Sequence, residues 1–303
     1  MALTIYNKIS ILQLAFFVPS LIVAGILSYR HGFRRSSGWI YLVILSLMRI
    51  IGASMELATI SSPDNTSIAI GAQILQNIGL SPLILMLLGL VTRSYLAMSE
   101  KNRPSLPNAR ILRLLQLAVI VGLILSIVGG INTGNQVSKE LVDGSPISYT
   151  IADESKAGTA LMIVGYALLV LSAVALLLRI GSLPQGEKRL LIAVFVALPF
   201  VFVRLLYSAL SIFDTSNANF HQFGGSTDAG YYVLGMCTVM EIITVIALEA
   251  VGLTLPYVPH NERGSILNPN RAVNRLDTYG QPLNEYPPSN NQYSPRARQG
   301  GSA

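Results

Sequence analysis

The stretch Trp39-Ile-Tyr-Leu-Val-Ile-Leu-Ser-Leu-Met-Arg49-Ile-Ile-Gly-Ala-Ser-Met-Glu56-Leu-Ala-Thr-Ile60 is long and apolar enough to cross a bilayer, yet it carries two full charges. Its ten Leu, Ile and Val residues each return about 0.3–0.6 kcal/mol on insertion, whereas a charge at the helix centre costs about 2.5–3.5 kcal/mol. The segment barely inserts alone and needs neighbours that accept its charges. Working outward, apolar runs of similar length occur at 11–29, 68–92, 112–131, 157–180, 190–213 and 229–255, which with 39–60 makes seven spans. Three further ionisable residues, Arg204, Glu241 and Glu249, sit inside them. The reading is an all-α membrane protein, a bundle of seven transmembrane helices over residues 1–255 with a tail at 256–303.

Composition agrees: of 303 residues 51% are hydrophobic and 12% charged, with a mean hydropathy of +0.54. No internal repeat points to a transporter built from two halves. The lone Cys237 lies in the last span, reads as a small core residue and allows no internal disulfide. The first run is too long for a cleaved signal peptide and its arginines follow rather than precede it, so it reads as an anchor helix.

Lys and Arg are distributed unevenly among the connections. Arg30, Arg34, Arg35, Arg93, Lys101, Arg103, Arg110, Arg113, Arg179, Lys188, Arg189, Arg263, Arg271, Arg275, Arg296 and Arg298 fall on one side, sixteen in all, against Lys8, Lys139 and Lys156 on the other. The expected orientation therefore has the amino terminus outside and the carboxyl terminus in the cytosol. The net charge of +6 arises from residues that flank spans, so membrane lipids with anionic headgroups are the expected partner and nucleic acid is not. Outside connections carry Asp64, Glu140, Asp143, Asp153, Glu154, Asp214 and Asp228, which read as solvated loop charges. Asn65-Thr66-Ser67 matches a glycosylation acceptor close to the membrane. From Pro256 onward, seven prolines punctuate a basic, Asn-rich stretch that reads as a disordered solubilising tail, with anionic lipid or a protein as its alternative partners. Whether the bilayer is the plasma membrane or an endomembrane does not follow from span lengths.

Helical geometry sorts the intramembrane polar residues. Arg49 and Glu56 lie seven apart on one face, with Ser46 on the same stripe. Gln73, Gln76 and Asn77 share a face that Ser81 extends to the helix-disturbing Pro82. Arg204, Ser208 and Ser211 form a stripe with Tyr207 beside it, and Thr238, Glu241 and Thr244 another. Counting about 1.5 Å per residue places Glu56 about 6 Å, Arg204 about 13 Å, Arg49 about 16 Å and Glu241 about 18 Å below the outer boundary. Glu249 falls near the cytosolic end, where it is expected to snorkel. These depths pair Arg49 with Glu241, and Arg204 with Glu241 or Glu56. The candidate site is therefore an outer-half polar cluster of Arg49, Glu56, Gln73, Gln76, Asn77, Arg204, Tyr207, Ser208 and Glu241. Three roles stay open: ion pairs that fix helix register, a charged cavity that binds, senses or translocates an amphipathic or lipid-like small molecule, and a proton carried by Glu241.

Enzyme chemistry finds little support. His31, His221 and His260 do not converge with acids on a metal, no nucleophile stands beside a base, and no glycine-rich nucleotide loop occurs. No cofactor is called for. What remains is acid catalysis by Glu56 or Glu241, as in an isoprenoid cyclase, which the nearby arginines oppose. Gly122, Ser126, Gly129 and Gly130 read as close helix packing. Trp39, Tyr41, Tyr95, Tyr231 and Tyr232 fall near span ends, where aromatic rings favour the headgroup level.

The segments Arg30-His-Gly-Phe-Arg-Arg-Ser-Ser-Gly-Trp39, Leu47-Met-Arg-Ile-Ile-Gly52, Phe202-Val-Arg-Leu-Leu-Tyr-Ser208 and Met240-Glu241 together resemble the seven-span fungal integral membrane proteins grouped as a domain of unknown function. The resemblance covers about residues 5–258. More loosely, topology and buried polar residues resemble the fungal lipid-translocating exporters linked to aminocholesterol resistance. This resemblance implies a fungal source and a membrane role without catalysis, and it assigns no site residue. Seven spans also suggest a G-protein-coupled receptor, but Arg93-Ser-Tyr95 stands where Asp-Arg-Tyr would, and no Asn-Pro-x-x-Tyr occurs in the seventh span.

Overall fold

A chain inside hydrocarbon must satisfy its own backbone polar groups, and a helix does so within one segment. The computed structural model, which describes residues 4–31, 37–62, 65–99, 109–143, 151–182, 185–214, 217–220 and 228–255, is accordingly helical, with no strand among the described residues. The helices are α1 (Ile5–His31), α2 (Ser37–Ala58), α3 (Thr66–Ile78), α4 (Leu80–Ser99), α5 (Ala109–Asp143), α6 (Asp153–Leu177), α7 (Gln185–Phe213), α8 (Ala229–Tyr232) and α9 (Met240–Thr254). A π-helical stretch, Val233–Val239, joins α8 to α9. Seven crossings result, because α3 and α4 together make one span and α8 to α9 another. The protein is a multi-pass membrane protein.

The helices outrun several expected spans. The fourth, expected at 112–131, is the 35-residue α5, which continues past the apolar run through Gln136, Lys139 and Glu140. Hydropathy marks where hydrocarbon ends, not where hydrogen bonding stops. Beyond the apolar part, Gln136 Nε2 donates to Glu140 Oε1 at 3.2 Å, and the Ser138 and Thr66 hydroxyls lie 3.3 Å apart. The first span likewise runs over 5–31 instead of 11–29, and the third is interrupted at Gly79. The tail at 256–303 and Arg34, Arg35, Asp64, Lys101, Arg103, His221 and His260 lie outside the described residues.

α4 is the central helix. Every residue from Leu80 to Val91 is buried, and α4 packs on α2, α5, α6 and α7. An uninterrupted apolar run with no polar stripe can face protein on all sides, and this one does. By contrast α5 turns Ile111, Leu114, Leu117, Val121, Ile124, Val128 and Ile131 outward, the spacing of a lipid-facing stripe. Its other face meets α6 at Gly122, Ser126 and Gly129, where a Cβ at Gly158 would sit 2.8 Å from both the Gly122 carbonyl oxygen and the Ser126 amide nitrogen. Small residues here set the helix separation.

The far end of α9 is closed by α1. Arg30 donates to the Leu253 and Leu255 carbonyls at 3.4 and 3.3 Å, and His31 Nε2 lies 3.3 Å from the Gly252 carbonyl oxygen. Basic groups at a helix C-terminus satisfy its last carbonyls and oppose its negative dipole end. Trp39 corrects a sequence expectation: it is fully buried, and Gly252 packs so closely on its ring that any Cβ would collide with it. Tyr95 is buried too, so these two rings belong to the core, while Tyr231 and Tyr232 are exposed.

Gly158→Leu is expected to lower thermal stability by about 1–3 kcal/mol, since the clash is with backbone. Gly25→Ala, where a Cβ meets nothing within 4 Å, should be neutral or stabilising. Thermal unfolding of both variants in the same detergent checks the contrast.

Candidate functional site

Pro82 decides where the third crossing breaks. It has no N–H for the Ile78 carbonyl and its ring crowds that carbonyl, so α3 stops at Ile78 and α4 starts at Leu80. The break lies deep: Gln76 is about 15 Å along the axis from Thr66. Backbone carbonyls beside such a break need donors that hydrocarbon does not supply.

Two guanidinium groups supply them. Arg49 Nη1, from α2, donates to the Gln76 carbonyl at 3.0 Å, and Arg204 Nη2, from α7, donates to the Gln76 and Asn77 carbonyls at 3.2 Å each. Both arginines turn to Glu241 of α9, whose Oε1 accepts from Arg49 Nη2 and, at 2.9 Å, from Arg204 Nε. All three side chains are at most 1% exposed. Two arginines and one glutamate leave a formal +1, which the C-terminal dipole of α3, about half a negative charge, partly offsets.

Carboxamides complete the cluster. Gln76 Oε1 accepts from Arg49 Nη1 and from Gln13 Nε2 at 3.1 Å, and Gln76 Nε2 donates back to Gln13 Oε1 at 3.3 Å. Gln13 Nε2 also reaches Thr238 Oγ1 at 3.1 Å, and Arg204 Nη1 donates to Ser208 Oγ at 2.6 Å. Five helices are thus tied at one depth, α1, α2, α3, α7 and α9, with Thr238 of the π-helical stretch. Among the described residues, Arg49 Nε and Glu241 Oε2 have no hydrogen-bond partner.

The expected residues are only partly brought together. Arg49, Gln76, Arg204, Ser208 and Glu241 share this cluster. Glu56 does not join it: it lines a small cavity of about 10 Å³ with Tyr6, Ser10, Gln73 and Gln76, and forms no ion pair among the described residues. Asn77 points away from Gln76, since adjacent residues on a helix diverge by about 100°. Its side chain donates to the Gln73 carbonyl at 2.9 Å and lines a separate cleft of about 40 Å³. That cleft lies among α3, α4, α5, α6 and α7, walled by Ser81, Ser126, Ser155, Thr159 and Ser208 and by Ile74, Ile78, Leu80, Met162 and Ile212. The charged groups do not line it, so the expected charged cavity is corrected to a closed ion cluster beside a hydroxyl-lined cleft. Tyr207 turns into a small apolar cluster with Ile9, Val233 and Cys237. Glu249, expected to snorkel, is half-buried and accepts from Ser20. Asn65 caps α3, its side chain accepting from the Ile68 amide at 3.3 Å.

Sequence reasoning missed Gln13 and Gly79. Gln13 stands among apolar residues of α1 on a stripe with Ser10 and Ser20, a signal that helical spacing offers. Gly79 lies against the Arg49 guanidinium, which a Cβ would displace; its φ of −54° is ordinary, so close approach is the reason for glycine.

Residues 3–258 match a family described as a domain of unknown function (DUF7702), and the chain belongs to it. No curated protein and no solved structure matches it.

Glu241→Leu, which strands two buried guanidinium groups, is expected to cost about 3–5 kcal/mol. The triple variant Arg49→Met/Arg204→Met/Glu241→Leu should recover part of that loss, because it removes the charges together. Thermal unfolding of purified protein decides the order. Gly79→Ala is expected to fall between wild type and Glu241→Leu.

Proposed function

For this member of the DUF7702 family we propose a binding or sensing role: the cleft among α3, α4, α5, α6 and α7 takes the polar end of an amphipathic small molecule. The observation that carries the reading is the wall of the cleft, where one carboxamide and five hydroxyls face five aliphatic or thioether side chains. Hydroxyls are poor filler for a transmembrane core unless they meet a polar partner. Ser208 adds direction to the site. Its oxygen accepts from Arg204 at 2.6 Å, which polarises its O–H and suits it to donate to a carbonyl, phosphate or carboxylate oxygen. The hydrocarbon part of the molecule would run along Ile74, Met162 and Ile212.

Several features narrow the reading. The charged groups of the ion cluster hold the back wall and reach the cleft only through Ser208. Between the cleft and the opposite end of the bundle stand the close-packed residues Leu83–Val91 of α4, which favours binding over passage. Acid catalysis fits poorly, because Glu241 is committed to two arginines and the space beside Glu56 is about 10 Å³. The excess of Lys and Arg on one side supports an amino terminus on the non-cytosolic face, which would open the cleft toward the outer leaflet.

Native mass spectrometry of the protein released from nanodiscs of mixed lipids tests the reading. Wild type is expected to retain a defined amphipathic molecule that Thr159→Val/Ser208→Val holds about 5–150-fold less well, the equivalent of two hydrogen bonds. Equal retention by two equally folded samples would sink it.

A further inference from the structure

The cleft among α3, α4, α5, α6 and α7 has two poles of opposite hydrogen-bonding sense. On α3, Asn77 Nδ2 donates to the Gln73 carbonyl at 2.9 Å, which fixes the orientation of the carboxamide. Its Oδ1, which can only accept, has no donor among the described residues. On α7, Ser208 Oγ accepts from Arg204 Nη1 at 2.6 Å, and its own O–H has no acceptor among the described residues. One guanidinium keeps the poles close, because Arg204 Nη2 donates to the Asn77 carbonyl at 3.2 Å while Nη1 holds Ser208. Both side chains line the cleft.

Elsewhere in the spans hydroxyls are spent on their own helix. Ser46, Thr92, Ser172 and Thr244 each donate to the carbonyl four residues earlier, at 3.0, 2.7, 2.7 and 2.8 Å. Ser81 and Thr159, which line the cleft, make no side-chain hydrogen bond among the described residues, although they are only 3% and 6% exposed. Buried polar groups in that condition are completed by whatever enters the space they face.

The charge environment opposes ions of either sign. Asn77 and Ile78 end α3, so the wall they form carries the negative end of that helix dipole together with Asn77 Oδ1, and both disfavour a carboxylate or phosphate. A cation would instead meet the Ser208 proton with the Arg204 guanidinium behind it. Every nitrogen of Arg204 is already engaged, by Glu241, by Ser208 and by the Gln76 and Asn77 carbonyls, and no charged side chain lines the cleft. An aliphatic hydroxyl answers both poles at once. Its oxygen accepts from Ser208, its proton goes to Asn77 Oδ1, and no net charge leaves water.

We propose that the cleft selects an uncharged lipid whose polar end is a hydroxyl group, held between Ser208 and Asn77. This rests on the cleft being a binding site, and it narrows the acceptors that Ser208 could serve to the oxygen of a neutral alcohol.

Native mass spectrometry of the full chain, released from nanodiscs loaded in turn with hexadecanol, its methyl ether, hexadecanoate and hexadecylammonium, tests the class on one chain length. Wild type is expected to retain hexadecanol about 5–150-fold better than the ether, which can accept from Ser208 but leaves Asn77 Oδ1 unpaired. It is also expected to retain the alcohol better than either ion, and Asn77→Leu to lose the preference for alcohol over ether. Equal retention of alcohol and ether by wild type, or strongest retention of an ion, would overturn the class while the cleft stayed a binding site. Retention of all four probes unchanged in folded Thr159→Val/Ser208→Val would remove the binding reading itself, and the class with it. Should Asn77→Leu fail to fold, the comparison of alcohol with ether on wild type decides alone.

Discussion

One carboxylate oxygen shared by two buried arginines is the interaction on which the bundle depends. Glu241 alone would be intolerable at its depth, as would either guanidinium; together they remain costly to desolvate. What makes them stable here is the third participant, the broken end of α3, whose carbonyls accept from both arginines. The break requires the guanidinium groups, and the guanidinium groups require the break. Pro82 and Gly79 thus belong to the same device as the charges, one by removing a donor and the other by letting Arg49 approach the backbone.

The count of crossings and their all-helical class were legible in hydropathy because lipid imposes length and composition on each span. The pairing of Arg49 and Arg204 with Glu241 was legible for a similar reason, since depth along a helix follows from residue number. What distance along the axis cannot supply is rotation. Gln76 and Asn77 are neighbours in sequence but face opposite clefts, and Glu56 shares a face with Arg49 while ending in a different cavity. Trp39 lay at a span end, where rings usually meet headgroups, but Gly252 two hundred residues away provides a flat seat for it. A tertiary partner of that kind leaves no local trace.

Two glutamates on one helix show how environment divides labour. Glu241 meets two guanidinium groups; Glu249, eight residues on, meets the single hydroxyl of Ser20. The first ties five helices at the depth of the cleft. The second joins α9 to α1, in the half of the bundle where Arg93 of α4 pairs with Glu187 of α7 and Arg30 of α1 meets the last carbonyls of α9.

The ion cluster depends on the π-helical stretch Val233–Val239 that precedes Glu241. A π turn takes up an additional residue relative to an α turn, and one residue is worth about 100° of rotation. Were the stretch to tighten to α-helix while α8 stayed in place, α9 would rotate by about that angle, carrying Glu241 off both arginines and Glu249 off Ser20 in the same movement. The π turn is thus held in place by the ion cluster just beyond it. Thr238, the π-helical residue that accepts from Gln13, fixes the rotation from the α1 side. The π turn and the charge cluster therefore fix the same rotation of a single helix.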